Sequence, residues 1–158
     1  MMTAKKASRI THHGILYGVG IGPGDPDLLT LKAVKILKQV DVIAVPKSNA
    51  EGESLALDIL KQVIDLNGKE ILELTFPMKK NHDELIESWE EAKKQILKPI
   101  KNGKDVAFIT IGDPLFYSTF IYVMEQFTVH SSQFTVKIIP GVSSINAASA
   151  AAQIPLAK

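Results

Sequence analysis

Short apolar runs alternate with longer segments of helical period along most of this chain. Ile15 to Val19 reads as a first strand. A helix follows over about Asp27 to Gln39, with Leu29, Ala33, Ile36, Leu37 and Val40 on one face. Asp25 or Thr30 can cap it, and Pro26 suits a first helical turn. Asp41 to Val45 is a second buried strand, ended by Pro46. Ser54 can cap a helix to about Leu66, with Leu57, Leu60, Val63 and Ile64 inward, and Asn67-Gly68 stops it. Glu70 to Phe76 reads as a third strand. Asn81 opens a long helix whose stripe at Leu85, Trp89, Ala92, Ile96 and Ile100 puts Trp89 in the core. Pro99 is placed to kink or restart that helix, and Asn102-Gly103 to end it.

Val106 to Ile111 is a continuous apolar run, as expected of a strand buried on both faces. A helix near Ser118 to Phe127 and a strand over Thr135 to Ile139 follow, the strand ended by Pro140-Gly141. Ser143 or Ser144 caps a final alanine-rich helix. The strand–helix alternation predicts an α/β domain: an open parallel five-stranded sheet with helices on both faces and right-handed crossovers.

Three of the strand-to-helix turns stand out chemically. The first is Gly18-Val19-Gly20-Ile21-Gly22-Pro23-Gly24-Asp25-Pro26; the second is Gly112-Asp113-Pro114; the third is Pro140-Gly141-Val142-Ser143-Ser144. In an open α/β sheet, ligands bind at the carboxyl ends of the strands. Glycines there let a ligand approach the backbone, and the hydroxyls and first amides of a helix supply polar contacts. Pro23, Gly112, Asp113 and Ser143 are therefore expected along one carboxyl edge. The first turn is not a G-x-G-x-x-G dinucleotide fingerprint, since Pro23 or Asp25 stands where the last glycine belongs, and no Walker A sequence is present. Asp113 has an alternative role as a cap of its own helix. Phe116 and Tyr117 could equally be core.

Bulk properties narrow the classes. The chain has 158 residues, of which 46% are hydrophobic and 22% charged, the size and balance of one folded domain. A net charge of +1 gives no whole-chain case for nucleic acid or an anionic membrane. Cysteine is absent, which excludes disulfides and thiolate metal sites and fits a cytoplasmic protein. No apolar run has the length of a membrane span. Residues 1–13 read as a flexible tail without a signal-peptide apolar block.

His12, His13, His82 and His130 are scattered without metal-ligand spacing and read as solvated surface, so no metal site is expected. Asp83, Glu84, Glu87, Glu90 and Glu91 with Lys93 and Lys94 read as a solvated helix face with i,i+4 pairs. Lys79-Lys80 offers a weak case for meeting substrate carboxylates.

The three turns resemble those of the tetrapyrrole methylase family, whose pattern G-x-G-x-G-P-G-D…LLT matches Gly18 to Thr30. The family's G-D-P turn matches Gly112 to Pro114, and its P-G-[IV]-[TS]-S loop matches Pro140 to Ser144. Many relatives, among them the uroporphyrinogen-III methylases, carry glycine where Ile111 stands here. The run Leu115 to Phe120, with Thr75-Phe76-Pro77-Met78, is more similar to the branch that methylates C-20 of precorrin-2 or cobalt-factor II.

The resemblance implies S-adenosylmethionine-dependent methyl transfer to a meso carbon of a reduced tetrapyrrole in cobalamin biosynthesis. It implies cofactor contacts at Pro23, Gly112, Asp113, Phe116, Ser143 and Ser144, and assigns no catalytic side chain. Family members have a second α/β domain, hold the cofactor between the two, and commonly form homodimers. Residues 14–158 accordingly resemble the N-terminal domain alone, a fragment expected to be inactive by itself. No nucleic-acid or membrane partner is implied. Alternatives are another member of the family acting on a different carbon, on diphthamide or on ribosomal RNA, and a flavodoxin-like binding module.

Overall fold

A computed structural model describes residues 13–49, 52–76, 82–128 and 134–157, leaving aside the side chains of 82–84. The element order is β1 (Ile15–Gly20), a short 3-10 turn (Pro26–Leu28), α1 (Leu31–Gln39), β2 (Val42–Lys47), α2 (Leu55–Lys61) and β3 (Glu70–Thr75). Then come α3 (His82–Lys101), β4 (Val106–Thr110), α4 (Phe120–Thr128), β5 (Thr135–Ile139) and α5 (Ser144–Ala152). The five strands form one sheet in the order β3-β2-β4-β1-β5, and every pairing is parallel, as expected.

The sheet has a core on each face. Tyr17, Val19, Ile43, Val45, Ala107 and Ile109 point to one side, where α1 and α2 contribute Ala33, Leu37, Ala56, Ile59 and Leu60. Leu16, Val42, Ala44, Val106 and Phe108 point to the other, against Ile96 and Ile100 of α3 and Phe120, Val123 and Phe127 of α4. Consecutive residues of β4 thus serve opposite cores, which is why that strand reads as an unbroken apolar run. Burying each such Leu or Phe side chain is worth roughly 1.5–3 kcal/mol.

The path from β1 through β2 to β3 runs outward with its helices on the first face. The path from β3 through β4 to β5 runs back with its helices on the second. A reversal of direction together with a change of face is what crossovers of a single hand require. It also places a switch point between β1 and β4, whose outgoing connections part to opposite faces. Such a point opens a crevice at the carboxyl ends of the strands.

Several boundaries differ from those expected. The helix foreseen from Asp27 is split: Asp25 caps the 3-10 turn through the Asp27 amide, Leu29 is extended, and Thr30 then caps α1 through the Ala33 amide. Both candidate caps are therefore used. Pro46 does not end β2 but lies within it, paired with Leu74 of β3. Its nitrogen faces the β4 side, where pairing has already ended at Ala44, so no ladder bond is lost. The helix α2 stops at Lys61 rather than Leu66, its last turns replaced by tight turns through Ile64. Pro99 sits in the last turn of an α3 that continues to Lys101. The helix foreseen from Ser118 starts at Phe120, with Ser118 Oγ accepting from the Phe120 amide. Of the two serines offered as the α5 cap, Ser143 takes the role.

Trp89 is not core but half-buried, stacked on Tyr122 with ring centroids 4.5 Å apart. His13 is not on the solvated surface: its ring tilts against Phe134, and Nδ1 is buried without a hydrogen-bond partner among the described residues. His12, His130, Asn81, Lys79-Lys80, Pro77-Met78 and the tail at 1–12 lie outside the described residues, as do the side chains of His82, Asp83 and Glu84. Among the described residues, no helix is long and apolar enough to cross a membrane.

Candidate functional site

The three turns meet at the carboxyl ends of β1, β4 and β5. The Ile21 amide donates to the Thr110 carbonyl at 3.0 Å, carrying the β1–β4 pairing one step past the strand. Gly112 then donates to the Gly22 carbonyl at 2.7 Å, an isolated antiparallel bridge that joins the first turn to the second. The second turn joins the third through Asp113, whose Oδ2 accepts from the Gly141 amide at 3.0 Å.

Glycine makes this junction possible. A Cβ on Gly20 would lie 2.5 Å from the Gly112 carbonyl oxygen and 2.6 Å from the Gly141 nitrogen, and one on Gly141 would overlap the same carbonyl. All these neighbours are backbone, so none can turn aside. Gly112 itself has φ +76, which L side chains rarely adopt.

Beside the junction lies an open cleft of about 470 Å³, lined by Asp113, Phe116, Gly141, Val142, Ser143, Ile145 and Asn146. That is within the range of small-molecule sites. Four of the expected residues are brought together: Asp113, Phe116 and Ser143 line the cleft, and Gly112 adjoins it at the junction with Gly141. Pro23 adjoins them through Gly22 without lining the cleft, and Ser144 opens α5 at its rim. The Ser143 hydroxyl accepts from the Asn146 amide at 3.2 Å and donates to Asn146 Oδ1 at 2.8 Å. The first amides of α5 have no intrahelical acceptor and face the same edge.

Asp113 does not cap its helix, the alternative the sequence offered. Its Oδ1 accepts from the Leu115 amide at 2.9 Å, closing its own turn, while Oδ2 holds Gly141. Phe116 and Tyr117 are not core either. They form an edge-to-face pair with centroids 4.8 Å apart, and Tyr117 is 94% exposed with φ +50. A left-handed tyrosine costs on the order of 1–2 kcal/mol. It separates an apolar cleft of about 540 Å³ beside Leu115, Phe116 and Tyr122 from a more polar one of about 400 Å³ beside Lys47, Ser48, Glu53 and Thr110.

One buried polar pair was missed in the sequence. The hydroxyls of Thr110 and Ser118, both buried, are 3.0 Å apart and tie the end of β4 to the start of α4. Its signal was a threonine closing an otherwise apolar strand. A further cleft of about 370 Å³ opens at the opposite edge near Glu70, Gln95, Lys98 and Lys104. Glu70 and Lys104 are paired there at 2.8 Å, which holds the Lys104 ammonium above its usual pKa, and none of the three turns described above lines it. Among the described residues, no cluster of His, Cys, Asp or Glu has the make-up of a metal site.

The family model of tetrapyrrole (corrin/porphyrin) methylases matches residues 15–158, a span that includes all three turns. The chain belongs to that family. Among curated members, it is 48% identical over 141 residues to a probable cobalt-precorrin-2 C(20)-methyltransferase of Methanocaldococcus jannaschii, a match covering 89% of this chain and 58% of the relative. It is 34% identical over 145 residues to the cobalt-precorrin-2 C(20)-methyltransferase of Salmonella typhimurium, covering 92% and 60%. The tetrapyrrole methylase fold recurs in the solved structure of a cobalt precorrin-4 methyltransferase, at 31% identity and TM-score 0.67, covering 90% of this chain and 52% of that one. It recurs in a uroporphyrin-III C-methyl transferase from Thermus thermophilus complexed with S-adenyl homocysteine, at 25% identity and TM-score 0.60, covering 86% and 48%. The chain thus spans about three-fifths of those curated relatives and about half of those solved chains.

Proposed function

We propose that this chain supplies the cofactor-binding α/β domain of an S-adenosylmethionine-dependent methyltransferase acting at C-20 of a reduced tetrapyrrole, precorrin-2 or cobalt-factor II. The observation that carries the reading is the junction of the three family turns beside one cleft, lined by the second and third, in a chain 48% identical to a probable C(20)-methyltransferase over 141 residues. The cofactor class is supported by the solved relative whose structure holds S-adenyl homocysteine. The cleft suits such a group: Gly141 lines it as main chain beside the Asp113 carboxylate, Phe116 gives it an aromatic side, and Ser143 and Asn146 give it polar ones.

When bound, S-adenosylmethionine supplies a methyl group on a sulfonium, an electrophile for an electron-rich carbon. The chain's own residues then have a positioning task. Gly112 offers main-chain contact, Phe116 an apolar wall against which an adenine or thioether can lie, and Ser143 and Ser144 polar contacts at the α5 end. Pro23 stiffens the first turn beside them. Exposed Tyr117, Leu115 and Ile111 form the face toward which a planar macrocycle, and the second domain of a two-domain methylase, would close to exclude water.

In this reading, residues 14–158 are the N-terminal domain, the assembled enzyme is a cytoplasmic homodimer, and its partner is the tetrapyrrole rather than nucleic acid or membrane. The test is an assay of the complete two-domain protein with precorrin-2 and cobalt-factor II in parallel. Methyl transfer to C-20 of either is the expected result. Methylation confined to another carbon would overturn the substrate assignment.

A further inference from the structure

We propose that Asp113 is the positioning residue of the cofactor cleft: its carboxylate clips the third turn to the second and acts on a bound ligand through Gly141 rather than by touching it. The inference rests on the cleft being an S-adenosylmethionine site. Both carboxylate oxygens are engaged by main-chain donors, Oδ1 by Leu115 at 2.9 Å and Oδ2 by Gly141 at 3.0 Å across 28 residues of chain. The α4 cap is made by Ser118, so helix formation makes no demand on Asp113.

The clip matters because core packing does little to hold the third turn. The helix α5 that follows has no buried residue, and β5 is an edge strand in which only Ile139 is buried. The Gly112 carbonyl stands hard against Gly141 on the inner side, so release of the clip leaves only an outward swing. Val142, Ser143 and Ile145, the cleft wall that faces Phe116, would move with it. A carboxylate-to-amide bond is roughly twice as strong as a neutral one, which suits a single bond asked to hold a wall.

S-adenosylmethionine and S-adenosylhomocysteine differ by one methyl group and the sulfonium charge, so together they separate a positional role from a charge contact. Asp113→Asn and Asp113→Glu would be titrated with both ligands by NMR, a method that reads weak binding, with hydrogen exchange followed at the Gly141 amide. In both variants we expect Gly141 exchange to accelerate about tenfold and both ligands to weaken by a common factor of about tenfold. Glu retains the charge but displaces the oxygens by a methylene, so it should not rescue. Should the Asn variant fail to fold, the Glu variant carries the test. Selective loss of S-adenosylmethionine in Asp113→Asn, restored by Asp113→Glu with Gly141 exchange unchanged, would overturn the proposal. Failure of the complete two-domain protein to bind either ligand at millimolar concentration would instead overturn the cofactor reading, while Gly141 exchange would still report the clip.

Discussion

The two edges of the sheet are fastened in opposite ways. At the amino edge, side chains do the fastening: Asp105 Oδ1 accepts from the Ile15 amide at 2.8 Å, and Asp41 Oδ2 from the Asp105 amide at 3.1 Å. Lys69 Nζ donates to the Lys38 and Val40 carbonyls at 2.9 and 2.8 Å, and Lys104 pairs with Glu70. These links join β1, β4, β2 and β3. At the carboxyl edge, glycine main chain meets glycine main chain, and one carboxylate completes the junction. The amino-edge cleft is thus bordered by the paired side chains of Glu70 and Lys104, whereas the carboxyl-edge cleft is bordered by the Gly141 main chain and the Asp113 clip. The difference is one argument for the proposal that the cofactor lies at the carboxyl edge.

The largest effect is expected from one methyl group added at the glycine junction. Gly141→Ala and Gly20→Ala should each destabilise the fold by about 3 kcal/mol, because the new Cβ meets backbone that must shift. Urea unfolding checks this, with Gly24→Ala as a control: nothing lies within 4 Å of its Cβ, and only its φ of +141 is unfavourable. Equal losses at Gly24 and Gly141 would show that the close approach is unimportant.

At the other edge, Asp105→Ala should cost about 2 kcal/mol by orphaning the Ile15 amide, with ligand affinity at the carboxyl edge unchanged. Thermal unfolding and a ligand titration read the two effects separately. A smaller loss, about 1 kcal/mol, is expected for Ser118→Ala, which removes the Thr110 partner and the bond to the Phe120 amide.

The smallest effect is a pH dependence. Burial, and secondarily the nearby Asp105 carboxylate, raise the Tyr17 phenol above its usual value of 10.0. Above about pH 10 the unfolded chain gives up that proton while the folded chain keeps it. Stability is therefore unaffected below pH 10 and falls as pH rises through the folded value. Tyr17→Phe should flatten that alkaline decline, and Asp105→Ala should soften it. A decline identical in Tyr17→Phe would assign it to other groups.

Much of this arrangement could be read in the sequence because it depends on local pattern. The unbroken apolar run at Val106–Thr110, the caps at Thr30 and Ser54, and the glycines after three strands each declare themselves within a few residues. What escaped depends on partners distant in the chain. Pro46 is harmless inside β2 only because β4 has already parted from it. Asp113 looked like a helix cap or a ligand until Gly141, 28 residues on, claimed its second oxygen. Tyr117 carries an aromatic ring with no period to show whether it points inward, and its positive φ turns it to solvent. Trp89 lies on the apolar stripe of its helix, yet that stripe ends at the edge of the layer, where Tyr122 covers one face of the indole.

NMR mapping of S-adenosylhomocysteine on this chain would show whether the junction of the three turns builds a cofactor cleft. Concentration-dependent shifts are expected at the amides of Gly112, Asp113, Phe116, Gly141 and Ser143, with Glu70, Lys98 and Lys104 at the opposite edge unmoved. Shifts confined to the Glu70–Lys104 cleft, or spread without regard to the three turns, would contradict it.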